Sequence, residues 1–450
     1  MSYIGNTPTT QSFISGTDYF NGTGAQTAFT LSRTVASIND IQVTVNNVVQ
    51  QPNDAYTISG TTLTMTSAPS AGTNNVYVRY LSTTTQAITP SQNTVSWNTL
   101  DSNTQQDLGL MYKNKIINGN MVIDQRNAGA SVTQSSSSNL FVTDRWSIAG
   151  TQNAKFTGQQ SSTSPVGFVN SLLLTSSAAT SVSASDFFGV ITKIEGYNLA
   201  DLNFGSANAK TITISFWVRS SVTGTYTGTV NNSDASRCFP FSYTISAANT
   251  FEYKTINIVG CPDGTWNTTN GVGAQVFFGL GAGSNWKQAA GAWTSTLCLM
   301  ATGQTDWIST SGATFYLTGV QLEVGTQATA FSTAGGSYGA ELALCQRYFQ
   351  KTNPDNTSLR SGGITGVVYS GTNAGLYYTF PVQMRSSATA TRGGTNDDFY
   401  IAGISTNVSG TFNSTTVTKE IFWGEIVNLS AGANGYQIVY NGQLSLSAEL

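Results

Sequence analysis

Along most of its length this chain alternates. In "TITISFWVRS", Ile212, Ile214, Phe216 and Val218 take one set of alternate positions, and Thr213, Ser215, Trp217 and Arg219 take the other. That is the period of a strand with one face turned to a core. The same period runs through Ile41, Val43 and Val45, and through Val76, Val78 and Tyr80. Clusters of Thr, Ser, Asn, Pro and Gly interrupt the runs, as turns require. A chain patterned in this way buries its apolar side chains by stacking sheets, so the expected fold is mainly β. Its 450 residues exceed the roughly 100–200 of one domain, so several domains are expected. No repeat of fixed period is visible, which argues against solenoids and propellers.

Residues 1–90 hold compact strand signals and read as a small N-terminal β-sandwich. Residues 91–115 are a polar linker followed by "WNTLDSNTQQDLGLMYKN", where Leu100, Thr104, Leu108 and Met111 form a narrow one-sided helical stripe. So short a helix is marginal alone, and packing against copies of itself would supply the missing burial; lying on the first domain is the alternative. Residues 116–333 alternate again over about two hundred positions, the extent of a jelly-roll sandwich. Turn residues in "TAGGSYG" then precede "GAELALCQRYF". Here Leu342, Cys345 and Phe349, widened by Leu344 and Tyr348, predict one short amphipathic helix. That helix opens a C-terminal β-domain, residues 334–450.

Charge excludes several functions. Charged residues make up 9% of the chain and the net charge is −3, so no basic stripe exists to displace counterions from a nucleic acid. No apolar run reaches the roughly 20 residues of a membrane helix, and "MSYIGNTPTT" lacks the features of a secretory signal. There is no histidine, which removes Ser-His-Asp and Cys-His catalysis and His-ligated zinc. Cys238, Cys261, Cys298 and Cys345 are too far apart in sequence for CxxC metal spacing; they read as reduced core thiols, with a Cys238–Cys261 bridge as the rival reading. No cofactor and no metal site are expected, and Asp397 with Asp398 are read as solvated loop acids rather than a calcium site.

Several stretches taken together, "IINGNMVIDQRN", "TDRWSI", "TGVQLEVGTQATAF", "GAELALCQRYF", "FPVQMRSSAT" and the final "AEL", resemble tail-fibre and receptor-binding proteins of tailed bacteriophages, especially of marine and short-tailed types. The resemblance covers residues 116–390, and the remainder more loosely. It implies a middle region similar to a carbohydrate-binding-module jelly roll and an outer segment ending a trimeric fibre. Residues 1–90 resemble the attachment domain that docks such fibres on the tail adaptor or nozzle. The implied partners are two further copies of the chain, that adaptor, and a host polysaccharide or lipopolysaccharide, with neither nucleic acid nor membrane insertion; the implied location is the virion.

Sugar recognition needs aromatic faces for the apolar side of a pyranose, with polar groups at the rim. The middle domain offers Trp266 with Asn267, and Trp286 and Trp293; the last domain offers Tyr377, Tyr378, Phe399 and Tyr400, with Trp423 and Glu425 close by in "FWGE". The competing reading makes each tryptophan a cover for the end of the sandwich core, as Trp146 and Trp217 are expected to be core or strand residues. Asp144 and Arg145 read as a structural ion pair or turn. Glycoside hydrolysis would need two carboxylates roughly 5–10 Å apart; Asp186 with Glu195 and Glu420 with Glu425 are the available pairs, and no enzyme activity is expected. A purely structural fibre is the second reading, favoured if the three tryptophans point inward.

Overall fold

A computed structural model describes residues 16–81, 113–136, 140–352, 364–393, 399–401, 406–430, 434–440 and 443–450. The stripe Leu100, Thr104, Leu108 and Met111 lies outside the described residues, as do Asp397 and Asp398. The chain divides into two compact units, Met1–Asp101 and Ser102–Leu450.

In the first unit the strands Thr17–Gly22, Gly72–Tyr80, Ile41–Val45 and Val48–Val49 form one antiparallel sheet in that order, and Ala28–Val35 pairs with Tyr56–Met65. The alternation seen in the sequence is realised: Ile41, Val43, Val76, Val78 and Tyr80 join Phe29, Tyr56 and Leu63 in one core. Asp18 ties the two sheets, accepting from the Ser32 N–H at 2.7 Å and from the Tyr80 hydroxyl at 2.5 Å.

The second unit contains the jelly roll, two six-stranded antiparallel sheets face to face. One runs Glu252–Ile258, Ile212–Ser220, Thr314–Val324, Ser171–Ser176, Phe156–Ser161, Val132–Thr133; the other runs Cys238–Ile245, Gly224–Asn231, Val272–Ala282, Phe187–Glu195, Trp146–Gly150, Leu140–Thr143. Ile212, Ile214, Phe216 and Val218 fill the space between them with Trp146, Val190, Tyr226 and Phe278. Trp217 faces the other way, its ring 5.3 Å from that of Tyr253. The four cysteines are buried and unbridged.

The helix, Tyr338–Gln346, starts where Ser337 caps it, its hydroxyl accepting the Ala340 N–H at 3.3 Å, the usual means of satisfying an orphan helix donor. It differs from the amphipathic helix expected. It ends before Phe349, which already belongs to the strand Phe349–Lys351, and the residues it buries fully are Glu341 and Cys345. The reason is polar. One Glu341 oxygen accepts the Asn118 N–H at 2.5 Å and the other accepts the Gly335 N–H at 2.5 Å, so the carboxylate is drawn inward and Leu342 and Leu344 stay half-buried.

Beyond the helix, Phe349–Lys351, Gln443–Ser447 and Thr389–Gly393 form a three-stranded sheet. A seven-stranded sheet follows the order Thr406–Val408, Phe399–Ile401, Gln437–Tyr440, Ile364–Ser370, Asn373–Thr379, Ile421–Val427, Thr411–Val417. Ile364, Leu376, Phe399, Phe422, Ile438 and Leu446 share its core.

A buried polar joint fastens this part to the jelly roll, and most of the stretches that carry the resemblance supply side chains to it. Asn118, in a left-handed turn at φ 56°, donates to the carbonyls of Ile123 and Asp144 at 2.8 and 2.9 Å, and its own carbonyl accepts the Trp146 indole N–H at 3.0 Å. Glycine is required next to it, because a Cβ on Gly119 would lie 2.1 Å from the Val320 carbonyl oxygen. Arg145 pairs with Glu449 while its guanidinium lies 3.6 Å from the Tyr348 ring centre. Arg126 reaches the other Glu449 oxygen at 2.5 Å and stacks on Phe349 at 3.7 Å. Glu195 accepts from Arg347 at 2.6 and 2.9 Å and from the Tyr348 hydroxyl at 2.5 Å. Arg385 donates to the carbonyls of Asn270, Ala448 and Glu449, each at 2.8 Å.

Asp144 sits inside this joint, accepting the Gln125 N–H at 2.7 Å. Burial raises its carboxyl from the ordinary 3.8 to about 7, although Arg126 pulls the other way. A raised carboxyl keeps in the folded state a proton that the unfolded state releases. Its contribution to stability is therefore fully present below about pH 4 and is lost as pH rises through about 7. Asp144→Asn retains an acceptor for Gln125 and cannot ionise. Thermal unfolding from pH 4 to 8 is expected to show the variant gaining on the natural chain as pH rises, with about 1.4 kcal/mol at stake per pKa unit; parallel curves would remove this role for Asp144.

Candidate functional site

The aromatic residues proposed from sequence separate into two groups. Trp266 is 8% exposed, and its indole N–H donates to the Asp263 carbonyl at 3.2 Å. Its ring meets Phe204 at 4.8 Å and Trp293 at 5.6 Å, and Trp293 meets Phe239 at 5.3 Å while donating to the Val259 carbonyl at 2.8 Å. These two tryptophans converge on each other and pack against the sandwich core. Trp286 lies apart from them, 5.1 Å from Phe187, with its N–H on the Ser185 carbonyl at 2.8 Å. Asn267 is used in its own turn, accepting from the Thr269 N–H and hydroxyl at 2.8 and 2.9 Å. The middle-domain candidates thus cover core, because a loop tryptophan next to an open sandwich end gains more by filling it than by facing water.

In the seven-stranded sheet, alternation decides. Phe399 is 1% exposed and faces the core, and Tyr378 packs against that core beside Phe380 at 5.8 Å. Tyr377, between the inward Leu376 and Tyr378, faces out and is 49% exposed. Pairing places Tyr400, Val439, Thr365, Tyr377, Trp423 and Thr416 in one row across six strands. Tyr400 and Val439 are covered at 7% and 8% exposure, so the open part of the row is Thr365, Tyr377, Trp423 and Thr416. In the neighbouring row, Val367 and Glu425 flank Gly375.

Gly375 lets two rings come together on this face. A Cβ there would be in contact with the Trp423 indole nitrogen at 3.6 Å and the Tyr369 ring at 3.9 Å. Tyr369 and Trp423 lie over the glycine, and with the exposed Tyr377 beside them they form an aromatic face. Glu425 borders it, one carboxylate oxygen accepting the Tyr369 hydroxyl at 2.6 Å and the other the Asn413 amide at 2.7 Å. The bond to Glu425 raises the Tyr369 phenol above its ordinary value. Aromatic rings suit the apolar face of a sugar ring, and a fixed carboxylate accepts from hydroxyls. Tyr369, Val367 and Gly375 were not singled out from sequence, although the alternation in "ITGVVYS" already puts Thr365, Val367 and Tyr369 on one face.

The carboxylate pairs are not in catalytic range. Asp186 and Glu195 lie at opposite ends of the strand Phe187–Glu195, about 30 Å apart at roughly 3.3 Å per residue. Asp186 is engaged by Thr151 and Gln152 at 2.7 and 2.8 Å, and Glu195 by the joint. Glu420 and Glu425 are separated along one strand by about 16 Å on the same measure. Among the described residues no group of His, Cys, Asp and Glu could hold a metal ion, and no helix is long and apolar enough to cross a membrane.

No family model and no curated protein matches the sequence. Solved structures overlap the chain in part. The enzymatically active domain of tailspike protein 4 from bacteriophage CBA120 matches at 13% identity and a TM-score of 0.27, over 48% of this chain and 22% of that one. The family 11 carbohydrate-binding module of a cellulosomal cellulase from Clostridium thermocellum matches at 10% identity and a TM-score of 0.23, over 45% of this chain and all of that one. This chain spans about a fifth of the tailspike domain's length. At such scores the likeness carries no argument about function.

Two substitutions separate face from core. Phe399→Ala is expected to cost about 3–5 kcal/mol, as large buried aromatics do. Tyr377→Ala, at an exposed position of the outer face, should cost about 1 kcal/mol or less. Chemical denaturation measures both, and a loss for Tyr377→Ala as large as that for Phe399→Ala would show that Tyr377 belongs to the packing and not to an open face.

Proposed function

We propose that this chain is a phage tail-fibre protein that binds a host-surface glycan on the outer face of its C-terminal sheet, around Tyr369, Gly375, Tyr377, Trp423 and Glu425. The observation that carries the reading is the exposed aromatic face of Tyr369 and Tyr377 with Trp423, bordered by the oriented Glu425 carboxylate. The sequence resemblance supports the wider assignment: attachment to a tail adaptor through residues 1–90, assembly as a homotrimer through residues 91–115, and a place in the virion. Weak single sites suffice in such a particle, because linking them raises effective affinity by about 100- to 10,000-fold. The role is adhesion rather than catalysis.

A purely structural fibre is the second reading, and the inward packing of Trp266 and Trp293 favours it. Binding separates the two. Labelled full-length protein, Tyr377→Ala/Trp423→Ala and Tyr369→Ala are applied to cells of candidate host strains and to lipopolysaccharide purified from them. Retention by the natural chain, with at least a tenfold loss in both variants at equal thermal stability, is expected. Binding by none of the three to any candidate host strain, or equal binding by all, overturns the aromatic face as receptor site. Light scattering should give three times the 47.5 kDa chain mass, and a monomer removes the trimeric part of the reading.

A further inference from the structure

Cys238 begins the edge strand Cys238–Ile245, and the only neighbour of its backbone on that side is a short crossing segment. The Cys238 N–H donates to the Thr294 carbonyl at 3.0 Å and the Thr294 N–H donates back at 2.9 Å. The chain then turns, with the Thr296 N–H on the Thr294 hydroxyl at 3.1 Å, and returns to place Cys298 beneath it. Both thiols are fully buried, Cys238 donates to the Ala235 carbonyl at 3.3 Å, and the largest influence on each thiol's proton affinity is the other thiol. The rival sequence reading paired Cys238 with Cys261; the neighbour in the structure is Cys298.

We propose that Cys238 and Cys298 are a disulfide-forming pair, left as thiols when the chain folds and closed by a disulfide oxidant such as oxidised glutathione. The crossing segment is the means of access. Ser295, Thr296 and Leu297 are exposed, so this part of the segment covers the pair from the solvent side, while Gly291, bonded to the Pro240 carbonyl at 2.9 Å, and the packed Trp293 anchor the part before it. Local opening confined to residues 295–297 needs far less than global unfolding.

The reaction proceeds by two exchanges. The Cys238 thiolate attacks one sulfur of the oxidant, whose sulfur–sulfur bond breaks and releases one glutathione. The Cys298 thiolate then attacks the Cys238 sulfur of the mixed disulfide and displaces the second glutathione. Two electrons pass from the protein to the oxidant, and the two thiol protons end on the two glutathione molecules. The hydrogen bond from Cys298 holds the Cys238 thiol below its ordinary range, which suits Cys238 as the first to react. The disulfide brings the two sulfurs to a bond length of about 2.05 Å. It pins the crossing segment to the sheet edge and closes a loop of about sixty residues, long enough for a sizeable loss of unfolded-state freedom.

The test uses the full chain, reduced and then incubated with oxidised glutathione under native conditions. Free thiols should fall from the four present to two, the intact mass should drop by two hydrogens, and a non-reducing peptide map should join the Cys238 and Cys298 peptides. The unfolding midpoint should rise by roughly 5 °C or more and return on reduction. Cys298→Ser should stop at one glutathione on Cys238, while Cys261→Ala should still close. Retention of all four thiols at a few degrees below the midpoint, a stable glutathione adduct in the natural chain, or a bridge to Cys261 or Cys345 would each overturn the proposal. If Cys298→Ser fails to fold, the peptide map of the natural chain decides alone.

Discussion

A carboxylate placed where water cannot reach it organises the second unit. Glu341 enters the interior from the only α-helix among the described residues and is met there by two backbone N–H groups, from Asn118 and Gly335. Removing a carboxylate from water without partners would be prohibitive, so the turn at Asn118 and the turn before the helix must both form for either to be stable. That mutual requirement aligns the beginning of the jelly roll with the start of the C-terminal part. The surrounding arginines extend the arrangement: Arg126 and Arg145 share Glu449, and Arg347 holds Glu195. Buried ion pairs of this kind bring specificity of alignment more dependably than net stability.

The alternating strands were open to reading because their signal is local. Ile212 to Val218 declare an inner face within seven residues, and the structure puts that face in the core. The same rule, applied strictly, also separates Tyr377 from Tyr378: Leu376 and Phe380 are apolar and inward, so Tyr378 follows them and Tyr377 opposes them. The tryptophans were harder. A loop position says nothing about whether the loop folds back over an open end, and Trp266 and Trp293 do so from segments on either side of a long strand.

The joint was the least legible part. Its contacts link Arg126 and Arg145 to a residue more than three hundred positions away, and no period or spacing announces such a pairing. Most of the stretches that made the chain look familiar supply side chains to the joint, whereas the aromatic face around Gly375 comes from residues that carry no such signature. Shared wording in a sequence can therefore mark how parts are fastened together, while the surface available for recognition is written in residues that attract no notice.

The joint also sets an order of events for the growing chain. Glu449 adjoins the strand Gln443–Ser447, and that strand lies in the middle of its sheet between Phe349–Lys351 and Thr389–Gly393. When the jelly roll has been synthesised, Arg126 and Arg145 still lack their shared carboxylate, and the three-stranded sheet lacks its centre. Contacts of such long sequence separation form slowly, and incomplete sheets expose edges that invite association. Until that strand is added, Arg126 and Arg145 have not met the carboxylate they share, so its arrival completes the joint and the sheet in one step.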